Sequence, residues 1–211
     1  MMESHPEIAP LLEAMLAASG LPPLNPAAAA QFEAYFAILQ RWNQKINLTA
    51  IRDQEEILRR HFVESIAAAH SLPAGIATLL DFGSGAGFPG LPIAICCPRI
   101  AVVLAESQAR KAAFLREAVR TVGIPAEVYG GRAESIGRTF DCVILRAVDR
   151  MGLAVTAAAS LVAPAGWLAL LTTQPMAEGL IAMAGSGFSW TQPAQLPSAD
   201  ARVLIMAQKR A

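Results

Sequence analysis

The sequence predicts an α/β fold: a doubly wound, mostly parallel sheet of seven strands behind a helical N-terminal extension. Three observations predict it. From residue 76 onward, short apolar runs alternate with stretches of helical spacing. The runs are apolar nearly throughout, as in strands covered on both faces. The first run ends in Gly83-Ser84-Gly85-Ala86-Gly87, where an open parallel sheet places its ligand loop. A chain of 211 residues has room for about one such domain with a modest appendage. We expect residues 1–73 to form the helical extension and 74–211 the sheet domain, packed as one compact unit.

The extension is read from periodicity and punctuation. Ile8, Leu11, Leu12, Met15 and Leu16 recur at helical spacing, and Gly20-Leu21-Pro22-Pro23 stops that helix. Asn25-Pro26 is a cap followed by proline at the first helical position. Phe32, Tyr35, Phe36, Leu39 and Trp42 then form one apolar stripe, which core packing explains. Asp53 caps a third helix with Glu56 as its capping-box partner, and Ile57, Leu58, Phe62 and Ile66 give it an inward face. Residues 71–75 break it.

Strands are expected at 76–82, 100–105, 126–129, 140–145, 167–171, 188–190 and 202–207. Helices are expected at 89–97, 109–122, 151–162 and near 176–184. The last two strands have no long helix between them, so they should form an antiparallel pair at one edge. Residues 151–177 carry no charged side chain and are long enough to span a bilayer. They contain Ala163-Pro164-Ala165-Gly166 in the middle, so a helix, a turn and a buried strand explain them better.

Composition bounds the function. Lysine plus arginine equals aspartate plus glutamate, 17 each, which excludes a globally basic nucleic-acid coat or polybasic membrane protein and leaves room for a local basic face. Cys96, Cys97 and Cys142 are odd in number and lack CxxC spacing. They read as small buried apolar residues, with no disulfide framework and no metal site. Residues 1–7 lack a cationic segment of the secretory kind, and we expect a soluble cytoplasmic protein.

The chemistry should sit beyond the carboxyl ends of the strands. Glycines let the loop at 83–87 turn tightly and let a ligand approach the backbone. Glu106 ends the second strand, 23 residues after Gly83, where a carboxylate can accept both ribose hydroxyls of an adenosine. The loop parses two ways. Gly83-x-Gly85-x-Gly87 with Asp81 before it is an S-adenosylmethionine pattern, and Gly85-x-Gly87-x-x-Gly90 is a dinucleotide pattern. Phe88-Pro89 is bulky and poor in donors where a pyrophosphate would need backbone N–H groups, which favours the methyl donor. The third strand leads to Arg132-Ala133-Glu134, which can hold an adenine, and the fourth ends at Arg146, facing the reacting group.

Asn47-Leu48-Thr49-Ala50-Ile51-Arg52, Arg60-His61-Phe62, the segment from Asp81 through Phe88-Pro89-Gly90, Lys111-Ala112-Ala113-Phe114-Leu115-Arg116 and Arg146-Ala147 together resemble the bacterial 16S rRNA guanine-N7 methyltransferase family, also called glucose-inhibited division protein B. The resemblance runs from about residue 32 to 147 and more thinly to the end. It implies a class I S-adenosylmethionine-dependent methyltransferase, Rossmann-like, with cofactor contacts at Gly83, Phe88, Ala133, Glu134 and Arg146. Ser84, Gly85, Gly87 and Glu106 join them from the loop and strand reading. The implied substrate is a guanine in the decoding-region loop of 16S rRNA, free or in the small ribosomal subunit, and the product is S-adenosylhomocysteine. There are departures. The family usually has Lys-Gly after the fifth strand, where this chain has Thr172-Thr173-Gln174-Pro175. The second-strand acid is often aspartate, and Asp149-Arg150 after Arg146 is unusual.

Guanine N7 has an unprotonated in-plane lone pair, so attack on a sulfonium methyl needs no general base. No catalytic His, Asp or Glu is therefore expected. His5, His61 and His70 are placed away from strand ends, and His61 is read as structural or RNA-contacting. Arg146 has two open roles, bonding the guanine carbonyl or bracing the cofactor carboxylate. The N7 edge is hidden in A-form helices, so the target lies in a loop or is splayed out. Candidate phosphate contacts are Arg41, Lys45, Arg52, Arg59 and Arg60, and Arg110, Lys111 and Arg116. No membrane contact and no obligate protein partner is expected. Three alternatives stand: a small-molecule or protein methyltransferase on this fold, a dinucleotide-dependent oxidoreductase, and a catalytically silent RNA-binding module.

Overall fold

A computed structural model of the chain describes residues 8–148, 151–197 and 201–210. The first seven residues with His5, and the pair Asp149-Arg150, lie outside the described residues.

The extension opens with α1 (Ala9–Ala18), which buries Leu12 and Leu16. α2 (Pro26–Asn43) starts where the Asn25-Pro26 pair predicts, with the Ala28 amide donating to Asn25 Oδ1 at 2.8 Å. Its stripe turns inward, burying Phe32, Tyr35, Phe36 and Leu39. α3 (Gln54–Ile57) is capped by Asp53, whose Oδ1 accepts the Glu56 amide at 2.8 Å, while the Glu56 carboxylate turns to Arg60 at 3.4 Å.

The third helix differs from its expected regular course. Leu58–Val63 widens into a π-helix before α4 (Glu64–Ser71) resumes. A π turn disrupts the regular i→i−4 ladder, and side chains use the carbonyls there. The Arg60 carbonyl accepts from Arg146, and the His61 carbonyl accepts from Ser65 Oγ at 2.5 Å. Apolar spacing cannot register one extra residue in a turn, so the sequence did not disclose this segment.

The sheet runs β3 (Glu127–Tyr129), β2 (Ala101–Ala105), β1 (Thr78–Phe82), β4 (Phe140–Arg146), β5 (Val162–Thr173), β8 (Arg202–Lys209), β6 (Phe188–Trp190). β1 to β5 are mutually parallel, and β8 is antiparallel to both β5 and β6. These seven strands are joined by a two-residue eighth, β7 (Ala194–Gln195), against β8. β5 is longer than expected. Phe140 pairs with Val162 and Cys142 with Trp167, so residues 163–166 bulge opposite Asp141, with Ala165 at φ +59°. The predicted turn is present, inside the strand.

Alternate strand residues feed two cores. Leu79, Val102, Leu104 and Ile144 face α1, α2, the π-helix, α4, α5 (Gly90–Cys96) and α6 (Ala109–Val122). Leu80, Val103, Val143 and Leu168 face α7 (Met151–Leu161) and α8 (Gln174–Ala184). The uncharged stretch thus divides among α7, β5 and α8, and no helix of the described residues is long and apolar enough to cross a membrane. The chain order reverses between β1 and β4, so the loop after β1 stands at the switch point.

Candidate functional site

The loop joining β1 to α5 is held by one neighbouring carbonyl and two side chains. Gly83 and Ser84 both donate N–H to the Ala105 carbonyl, at 3.0 and 2.9 Å. The Gly85 amide donates to Glu106 Oε2 at 3.0 Å, and Tyr35 donates its hydroxyl to the Ala86 carbonyl at 2.6 Å. Gly87 sits at φ +92°, and a Cβ there would lie 2.4 Å from Leu91 Cδ1 and 2.9 Å from the Tyr35 oxygen. Glycine at that position serves packing beneath the loop.

A cavity of about 810 Å³ opens above this loop. Gly83, Ser84, Gly85, Phe88, Glu106, Ala133, Glu134 and Arg146 all line it, and Gly87 does not. Lys111, from the basic candidates, reaches it as well. Glu106 is 6% exposed, with Oε1 accepting the Gln108 amide at 2.7 Å and Oε2 the Gly85 amide. Those two bonds fix the carboxylate plane and leave each oxygen a lone pair. Ser84 spends its hydroxyl on the Asp81 carbonyl at 3.1 Å.

Asp81 decides between the two parses of the loop. Its Oδ2 accepts the Gly90 amide at 3.1 Å, at the start of α5. A pyrophosphate would need that helix end. Here a protein carboxylate already fills it, which disfavours the dinucleotide reading. Burial raises the Asp81 carboxyl to about 7, against the hydrogen bonds it accepts, and its Oδ1 has no partner among the described residues. An unfolded aspartate ionises near 4, so between about pH 4 and 7 the folded chain holds the extra proton. The stabilisation is complete below about pH 4 and is lost as pH rises through 7. Asp81→Asn mimics the protonated form. We expect its stability relative to wild type to rise by on the order of 4 kcal/mol between those pH values and then level off, read from denaturant unfolding at each pH.

At the end of β4, Arg146 is 8% exposed and already engaged. Nη2 lies 3.1 Å from Glu64 Oε2 and donates to the Arg60 carbonyl, and Nη1 is 3.5 Å from Ser65 Oγ. Glu64 is fully buried and also takes Arg202 Nε at 2.9 Å. Arg202 pairs in register with Thr173, so it brings a cation beside the segment where Lys-Gly is missing.

One expectation is corrected. His61 was placed away from the strand ends, yet it lines the cavity with Nδ1 3.1 Å from Arg146 Nη2. The π turn carries it there, and its ring stacks on Phe88 at 4.9 Å. Burial first, then the nearby guanidiniums of Arg146, Arg202 and Arg60, lowers its pKa to about 3. His70, by contrast, is exposed at the end of α4.

The basic candidates divide. Lys45, Arg52, Arg110 and Lys111 line a second cavity of about 700 Å³, which shares Gln108 and Lys111 with the first. Three of the others have acidic partners. Arg41 pairs with Glu117, Arg59 approaches Glu55 at 3.9 Å, and Arg60 pairs with Glu56 at 3.4 Å. Arg116 lies against Gly130. Glu64, His61 and Thr49 are the site residues that sequence reasoning missed. A carboxylate inside the apolar face Phe62-Val63-Glu64-Ser65-Ile66 was the available signal for Glu64.

Comparison with known proteins gives concordant findings. The family model described as GidB, rRNA small subunit methyltransferase G, matches residues 28–197. A protein of Stenotrophomonas maltophilia (strain K279a) named ribosomal RNA small subunit methyltransferase G is 40% identical over 173 residues, 79% of each chain. Its namesake in Xanthomonas euvesicatoria pv. vesicatoria is 35% identical over 209 residues, 97% of this chain and 96% of that one. Among solved structures, a SAM-dependent O-methyltransferase from Thermotoga maritima superposes with a TM-score of 0.58 at 14% identity, covering 82% of this chain and 71% of that one. That likeness shows the fold: the sheet and its helices are those of a class I methyltransferase.

Proposed function

The chain belongs to the GidB family, the rRNA small subunit methyltransferases G, and from that premise we propose that it transfers a methyl group from S-adenosylmethionine to N7 of a guanine in the decoding-region loop of 16S rRNA. The observation that carries this reading is Glu106. Its carboxylate is locked beside the glycine loop by two backbone amides, with lone pairs left for a ribose diol. The cavity suits the cofactor, since polar Glu106 and Arg146 accompany apolar Phe82, Ala105, Ala133 and Val148 in its lining.

In this reading Glu106 holds the ribose, and Ala133 and Glu134 flank the adenine. Gly83, Ser84, Gly85 and Phe88 line the path to the methionine end. Arg146 braces the carboxylate of that end, because its bonds to Glu64, Ser65 and Arg60 make it part of the wall. The bound sulfonium supplies an electrophilic methyl group and leaves as S-adenosylhomocysteine. The chain's own work is to hold the guanine in line with it. Positioning of this kind can supply on the order of 7–11 kcal/mol. No residue need take a proton, and His61, neutral at physiological pH, is not poised to do so.

The second cavity is read as the seat of flanking phosphates. Lys45→Gln with Arg110→Gln should lower the slope of log affinity against log salt by about 1.4–1.8, two phosphate contacts' worth, while cofactor affinity stays unchanged. An unchanged slope would favour a small-molecule or protein substrate. The primary test is transfer of labelled methyl to 16S rRNA or small subunits with nucleoside analysis. Recovery of 7-methylguanosine is expected, and a different methylated product would overturn the reading. We further infer that residues 1–73 and 74–211 act as one unit, that the enzyme works in the cytoplasm where its rRNA is, and that it needs neither membrane nor obligate protein partner.

A further inference from the structure

The segment Asn47-Leu48-Thr49 is pinned with unusual economy. The buried Asn43 accepts the Leu48 and Thr49 amides on Oδ1, at 3.0 and 3.1 Å. Arg52 donates to the Asn43 carbonyl at 3.0 Å and to Asn47 Oδ1 at 2.9 Å. The loop is thereby fixed, and Thr49 is set in the wall of the cavity with His61, Phe88 and Arg146.

Arg146 Nη2 carries two N–H groups, one directed to the Arg60 carbonyl and the other to His61 Nδ1, and its contact with Glu64 is an ion pair. A guanidinium has only donors, so His61 Nδ1, facing Arg146 Nη2 at 3.1 Å, must be the acceptor. The ring proton then sits on Nε2, which donates to Thr49 Oγ1 at 2.8 Å. The Ile51 amide donates to the same oxygen at 3.2 Å. A threonine oxygen has two lone pairs, and both are taken. Its hydroxyl can therefore act only as a donor. Low basicity keeps His61 in this neutral tautomer across the working pH range.

We propose that Thr49 is the specificity-determining residue for the target base, its hydroxyl donating to the purine 6-carbonyl oxygen and so selecting guanine over purines that carry a donor there. This rests on the guanine-N7 reading above. Guanine shows two acceptors on that edge, N7 and O6. N7 is consumed by the reaction, so O6 is the atom left for recognition. The base becomes cationic as N7 is methylated. A neutral hydroxyl can grip O6 without placing a positive charge beside it, which an arginine or lysine cannot do.

The test is a two-by-two comparison. The methylated guanine is located with wild-type enzyme, then replaced in reconstituted small subunits by 2-aminopurine, which keeps N7 and lacks the 6-oxygen. Thr49→Val also removes the acceptor of His61 Nε2 and of the Ile51 amide, so a loss common to both bases is expected, and kcat/KM should fall about tenfold further on guanine than on 2-aminopurine, with Thr49→Ser near wild type. An equal loss on both bases, or no loss on guanine, overturns the proposal. S-adenosylhomocysteine affinity checks that the variant is folded. If the valine variant fails that check, wild type decides: 2,6-diaminopurine, which opposes a donor to the donor, must react more slowly than 2-aminopurine, and equal rates overturn the proposal. Failure of the parent reading looks different, since wild type would then bind the cofactor and form no 7-methylguanosine.

Discussion

Glu106→Ala is expected to weaken binding of S-adenosylmethionine and of S-adenosylhomocysteine by about 100-fold, measured by calorimetry. A hydrogen bond to a charged acceptor is worth about 1.5–3 kcal/mol net, and the ribose diol would lose two. The variant also frees the amides of Gly85 and Gln108, which the carboxylate now accepts. Glu106→Gln separates these effects, because a side-chain amide still offers one oxygen to the loop and loses the charge. Its affinity should fall between the two. Wild-type affinity in Glu106→Ala would remove the central cofactor contact from the assignment. Substrate-saturated turnover at high cofactor concentration should recover, since in the proposed reading the residue would grip the ribose and not the reacting methyl.

Glu64→Ala is expected to cost about 3–5 kcal/mol of folding stability, read from denaturant midpoints. Among the described residues, Glu64 is the carboxylate paired with both guanidiniums, Arg146 at 3.1 Å and Arg202 at 2.9 Å, and its own side chain is fully buried. Removing it takes that counter-charge from the buried Arg146 and the half-buried Arg202. Burial already pulls the Arg146 pKa down to about 10, with Glu64 the main influence holding it up. A double variant, Glu64→Leu with Arg146→Met, should recover part of the lost stability, since replacing a buried pair costs far less than breaking one. If Glu64→Ala matched wild type, the buried network would have no energetic role. The same substitution should also depress methyl transfer, because Arg146 is bonded to the π turn that carries His61 and that Glu64 ends.

Much of the sheet was legible because strands buried on both faces leave continuous apolar runs. The helix at Ala109–Val122 and the strand at Phe188–Trp190 fall where the pattern put them. The glycine loop and Glu106 were legible because their chemistry is local: a tight turn and a carboxylate at a strand end. His61 was misplaced for the opposite reason. Its position depends on one extra residue in a helical turn, and an apolar stripe of three or four positions cannot distinguish that from a regular helix. The basic clusters were visible as composition, yet their availability was not. Arg41 meets Glu117 from another helix, a pairing 76 residues apart along the chain.

By itself the sequence determined the strand and helix order, the family, and which loop lines the cavity at the switch point. The elements and the loop are written in neighbouring residues, through periodicity, capping and spacing, and the family in the motif segments that resemble its own. Only the tertiary structure decided which charges are spent inside the wall, which face the second cavity, and which way the hydrogen bonds run from Arg146 through His61 to Thr49. Those are properties of side chains brought together from distant segments. Whether a polar group is paired, buried or free to meet a ligand depends on what lies opposite it in space, and no stretch of sequence carries that.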